Sequence, residues 1–95
     1  MISFTVRMTF NPEDRHDMEE ALRKLAVASR QEPGCVTYVP HYVQGEPDTV
    51  VIYEQYRDEA AAEAHRQSEH FRKHAVAGLY QKMRERVRED LVALV

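Results

Sequence analysis

The stretch YEQYRDEAAAEAHRQSEHF, residues 53–71, decides how this chain folds. It opens on the end of a β-branched and aromatic run, TVVIY at residues 49–53, which suits a buried strand. Asp58 then stands where an N-cap belongs, ahead of an alanine-rich run, so strand passes directly into helix. On that helix Ala61, Ala64 and His65 recur at i, i+3 and i+4, which turns an imidazole toward the small apolar face that packs on the sheet. Glu54, Tyr56, His65, His70 and Phe71 all fall inside this stretch, and chemistry is expected there.

Working outward, residues 2–10 alternate strictly, with Ile2, Phe4, Val6, Met8 and Phe10 on one face of a strand. Asn11, Pro12, Glu13 and Asp14 read as an N-cap, a proline at the first helical position and acids at the positive end of the helix dipole. Met18, Ala21, Leu22, Leu25 and Ala26 follow at the helical period until Pro33 and Gly34 end the helix near Arg30. Residues 35–43 form a second strand, in which Pro40 favours an edge position or a bulge. Gly45, Glu46, Pro47 and Asp48 turn the chain into a third strand, residues 49–57. Beyond the Asp58 helix, Ser68 caps a segment with Phe71, Ala75, Leu79 and Met83 at the helical period, and residues 91–95 supply a fourth strand.

The order is therefore βαββαβ, a single α+β domain over residues 1–95. Its ferredoxin-like antiparallel sheet carries the helices on one face. The other face carries Val51, Tyr53 and part of strand two, with no element of the chain left to cover it. A second copy of the chain is the simplest cover, so a two-fold homodimer is expected.

Thirteen Lys and Arg against sixteen Asp and Glu leave a formal charge of −3, with both signs interleaved. Such a surface suits neither nucleic acid nor an anionic membrane as partner. No apolar stretch approaches the roughly 20 residues of a membrane span, and Cys35 is alone, so a reducing, cytoplasmic setting is expected.

His65, His70 and His74 lie close together, and the last two are spaced i, i+4, which can bind a metal. No third ligand stands at a diagnostic spacing, and no metal is expected. There is no Gly-rich phosphate loop, GxSxG or paired-cysteine motif, which removes support for nucleotide cofactors and nucleophilic catalysis. What remains is a pocket on the helix side of the sheet, walled by Val6, Ile52, Tyr56, His70 and Phe71, with His65 and Glu54 as its titratable pair. The competing possibility is that this pair only fills a core.

EPGC with a tyrosine three residues on (Glu32 to Cys35, then Tyr38), followed by YEQYRDEAAAEAH and SEHF, resembles the antibiotic biosynthesis monooxygenase family over nearly the whole chain. The resemblance implies a dimeric α+β barrel of ferredoxin-like protomers. It also implies an oxygenase that needs no flavin, haem or metal and acts on hydroquinones or polyketide phenols with dioxygen. Family members carry Glu, an aromatic and His where this chain has Glu54, Tyr56 and His65, and His with an aromatic at His70 and Phe71. Tyr56 stands where many members have Trp, and Ile52 and Ala62 are apolar where polyketide-oxidising members place polar groups, which turns the expectation away from polyketides. His74 lies one residue early for the ligand of haem-degrading relatives, so haem is not carried over.

The expected function is a cofactor-independent monooxygenase of a small hydroquinone or phenol, with His65 and Glu54 catalytic. A similar branch of the fold isomerises small phosphorylated hydroxy-diketones, for which Arg7, Arg66 or Arg72 would have to grip the phosphate. A non-catalytic module that only holds a small aromatic or carbonyl compound is the third possibility.

Overall fold

The alternation of residues 2–10 becomes strand β1 (Ile2–Phe10), whose Phe4, Val6, Met8 and Phe10 are all buried. A computed structural model describes residues 1–95. After β1 come a 3₁₀ turn (Pro12–Asp14), helix α1 (Arg15–Ser29), strands β2 (Cys35–Val43) and β3 (Glu46–Tyr56), and helix α2 (Glu59–Arg66). A π-helical segment (Phe71–Leu79), the one-turn helix α3 (Tyr80–Lys82) and strand β4 (Met83–Leu91) complete the chain. The sheet is antiparallel with order β2-β3-β1-β4, the split βαβ arrangement expected from the element order.

Pairing of Phe4 with Glu54 and of Val6 with Ile52 lines up the helix-facing side of β1 and β3. Met18, Leu22 and Leu25 of α1, with Ala75 and Leu79 of the π-helical segment, close over that side to make the core. Pro40 lies on β2, an edge strand, where its missing N–H costs no ladder bond on the open side. Gly34 is required by contact, because a Cβ there would come within 2.2 Å of Ala61 Cβ. The hairpin turn is made by residues 44–45, where Gly45 takes φ +84°, and β3 begins at Glu46, three residues earlier than the expected start at Thr49.

Four local expectations are corrected. The fourth strand is Met83–Leu91 and not residues 91–95, which carry no regular structure beyond Leu91. Met83 is the first residue of that strand, with extended backbone, and not the last of a helical stripe. Only Val87 and Leu91 interrupt the charged run of this edge strand, so the apolar alternation that marks β1 is missing from it. Asn11 does not cap α1 with its side chain; Pro12 instead starts the 3₁₀ turn, with Asp14 N–H donating to the Asn11 carbonyl at 2.9 Å. On α2 the inward residues are Ala62 and His65, with Ala61 half-buried and Ala64 exposed.

No element covers the second face of the sheet. Register places Val39, Tyr53 and Thr5 side by side, and His41, Val51, Arg7 and Val87 in the next row. No helix is long and apolar enough to cross a membrane.

Candidate active site

Asp58 fixes the start of α2, its Oδ1 accepting from Ala61 N–H at 2.8 Å, and so sets which residues of the helix point at the sheet. His65, one turn on, is buried at 4 % exposure. Ser68 ends the helix and begins the next segment, its hydroxyl donating to the His65 carbonyl at 2.7 Å and accepting from Phe71 N–H at 3.2 Å. The bend brings His70 and Phe71 back against His65, with ring centroids 6.1 and 5.2 Å away, while Tyr56 and Tyr38 flank it at 5.0 and 5.7 Å.

The polar partner of His65 is Glu32, in the turn after α1. Its Oε2 lies 2.9 Å from His65 Nδ1 and also takes the Nε2 of His70. Burial alone would raise the Glu32 carboxyl, but hydrogen bonds from His65 and His70 outweigh it and hold the group below its ordinary value. An ionised carboxylate only accepts, so the ring nitrogens that face it carry protons. Neutral His65 is thereby fixed as the Nδ1–H tautomer, with the lone pair of Nε2 directed away from Glu32.

Glu54 stands on that other side, its Oε1 3.6 Å from His65 Nε2, an ion-pair separation rather than a hydrogen bond. Tyr56 donates to the same oxygen at 2.7 Å. Burial raises the Glu54 carboxyl, and the bond from Tyr56 offsets this only in part. Burial also pushes the Tyr56 phenol up, with the Glu54 charge adding to it, so Tyr56 stays a neutral donor.

A cavity of about 50 Å³ lies between this group and the sheet, lined among others by Val6, Ile52, Glu54, His65 and Phe71. Of the residues expected on its wall, Tyr56 and His70 stand behind it instead, Tyr56 holding Glu54 and His70 holding Glu32. Ligand sites commonly measure roughly 300–1,000 Å³, so an aromatic ring enters only when the rim moves. The rim is made by Tyr80, Arg86 and Arg88, the last with its guanidinium 3.8 Å from the Phe4 ring centroid.

The sequence profile described as "Antibiotic biosynthesis monooxygenase" matches residues 1–77. The chain belongs to the antibiotic biosynthesis monooxygenase family. Solved structures agree on the fold. PA3566 from Pseudomonas aeruginosa is 29 % identical, with a TM-score of 0.91 over 99 % of this chain and 94 % of its own. A structure described as an antibiotic biosynthesis monooxygenase is 24 % identical, with a TM-score of 0.92 over the whole of both chains. Rv0793 from Mycobacterium tuberculosis, 23 % identical, has a TM-score of 0.89 over 99 % of this chain and 95 % of its own. No curated protein matches by sequence.

Within this family fold, sequence reasoning missed Glu32 as a site residue, although its EPGC motif was in view. The spacing of histidines alone offered no third ligand, whereas folding brings the Glu32 carboxylate to both His65 and His70. His74 is on a different surface, beside Asp17, Glu20 and Lys24. The arginines considered for anion binding are also displaced. Arg7 is on the open sheet face, paired with Glu46 at 2.9 Å, and Arg72 is exposed and off the cavity wall. Arg66 lines the cavity but is tied to Glu59 and Glu63. Arg86 and Arg88 of β4 are the further cations on the wall, and Arg86 makes no ion pair.

Proposed function

We propose that this chain is a cofactor-independent monooxygenase of a small hydroquinone or phenol. The observation that carries this is the buried His65, held through Nδ1 by Glu32, with its free Nε2 aimed at the Glu54 side of an apolar cavity. A phenol entering past Tyr80 gives its proton to His65 Nε2. The imidazolium then lies between two carboxyl groups, one already ionised. The phenolate left behind is electron-rich and transfers an electron to dioxygen; the phenoxyl radical and superoxide combine to form the C–O bond of a peroxide, which takes up the proton held by His65. Loss of the ring C–H proton with cleavage of the O–O bond releases the second oxygen atom as water and leaves a quinone. Arg86 and Arg88 at the rim favour the anion, and the apolar lining excludes water. A positioned base is worth on the order of 10²–10⁴ in rate. The active species is a homodimer, the second copy covering the open sheet face.

Isomerisation of a small phosphorylated hydroxy-diketone is the second candidate, favoured by the unpaired cation Arg86 beside the same base. Oxygen consumption with a panel of substituted hydroquinones tests the choice. Stoichiometric uptake supports the oxygenase. No uptake with any of them, in a protein that binds the phosphorylated diketone, moves the assignment to the isomerase.

A further inference from the structure

Glu32 Oε1 is buried without a hydrogen-bond partner, although the other oxygen of the same carboxylate holds two imidazoles. Buried polar atoms are rarely left so, and an unpaired one in a polar cluster points to a missing ligand. One donor atom from each of Glu32, His65 and His70 lies within 4.8 Å of the others. His65 also turns its remaining ring nitrogen to Glu54, 3.6 Å away, and metal-bound imidazoles are characteristically backed by a carboxylate in that position. We propose that Glu32, His65 and His70 bind a divalent transition-metal ion of the zinc class, and that the ion silences His65 as a base.

Two imidazole nitrogens and a carboxylate suit zinc and its neighbours rather than magnesium or calcium. Zinc bonds of about 2.0–2.2 Å set neighbouring donors roughly 3 Å apart, and Glu32 Oε2 and His65 Nδ1 are already 2.9 Å apart. His70, the most exposed of the three at 22 %, gives the ion its way in, and Glu32 Oε1 becomes a second oxygen for it. On binding, the metal takes the Nδ1 lone pair of His65, and the proton that Nδ1 carried moves through solvent to Nε2. The imidazole stays neutral, but Nε2–H now donates toward Glu54 and has no lone pair for a substrate proton. Binding stands independently of the catalytic assignment; only the inhibition rests on it.

Titration calorimetry of the full chain with zinc chloride tests the site. One ion per chain is expected, bound roughly tenfold or more weakly by His70→Ala and by Glu32→Gln. In imidazole ¹⁵N spectra His65 should change from the Nδ1–H to the Nε2–H tautomer as zinc is added. No saturable binding, equal binding by both variants, or an unmoved His65 signal overturns the site, equal binding placing the ion on surface donors such as His16 and Glu20. Zinc bound through all three residues with turnover of a hydroquinone unchanged would leave the site standing and remove His65 as the base.

Discussion

Glu32 Oε2 meets His65 Nδ1 at 2.9 Å across a separation of 33 residues, and this contact fixes which nitrogen of the buried imidazole is free to act. Glu32→Gln keeps the side-chain shape but removes the carboxylate that accepts from Nδ1 and fixes the tautomer. We expect it to lower kcat with little change in KM, and His65→Ala and His65→Gln to lower kcat by about 10²-fold or more. Turnover of the hydroquinone that the parent oxidises fastest, with near-ultraviolet dichroism to check folding, is the measurement. An unfolded alanine variant beside a fully active glutamine variant would make His65 a core residue only. His41→Ala should matter far less, since His41 is exposed on β2, its Nδ1 3.2 Å from the Val51 carbonyl oxygen.

Why His65 was legible and Glu32 was not follows from the range of the signals involved. The inward turn of His65 is a local property, set by Asp58 and helical spacing, and even the wrong partner in that stripe, Ala64 instead of Ala62, left the imidazole on the correct face. Glu32 reaches the site only because α1 returns the chain beneath α2, a contact with no trace in residue spacing. Strand β4 was hidden for a different reason. Arg86 and Arg88 face the helix side, where a central strand would carry apolar residues, because they border the rim of the cavity rather than the closed core. Charged residues turned inward on an edge strand also discourage pairing with another sheet edge.

Gly34 and Ala61 form the tightest packing constraint near the site. Gly34→Ala drives a methyl to 2.2 Å from Ala61 Cβ, closer than any relaxed contact. Overpacking of this kind costs about 1–3 kcal/mol, and the strain falls on the helix that carries His65. Urea unfolding should show that loss, and adding Ala61→Gly should restore more than half of it despite the lower helix propensity of glycine. Additive losses in the double variant would deny the contact.

Cys35 offers a check by pH. Burial, reinforced by the charges of Glu32 and Glu54, pushes its thiol from 9.0 up to about 11. The folded protein thus holds this proton more tightly than the unfolded chain does. The stability it contributes is complete below pH 9 and is lost as pH rises through about 11. At pH 8 the thiolate fraction is on the order of 100-fold below that of an unperturbed cysteine, so iodoacetamide should label the native protein slowly and the urea-unfolded protein fast. Equal labelling rates in the two states would contradict the burial of Cys35.

The open sheet face leads to the assembly. Val51 and Tyr53 of β3 lie between Val39 and His41 of β2 and Thr5 and Arg7 of β1, and Val87 of β4 beside them is 54 % exposed. A strand that is apolar on both sides needs cover on both, and α1 and α2 occupy only one. A two-fold copy of the same face is self-complementary, and we expect it to bury at least the roughly 1,200–2,000 Å² of a specific interface. Sedimentation at micromolar concentration should give twice the mass of one chain. Val51→Lys places a cation in the middle of the face without touching the core beneath, so it should yield a folded monomer. Wild-type protein that sediments as a single chain would show that this face is open to solvent, and the candidate site would then have to act within one protomer.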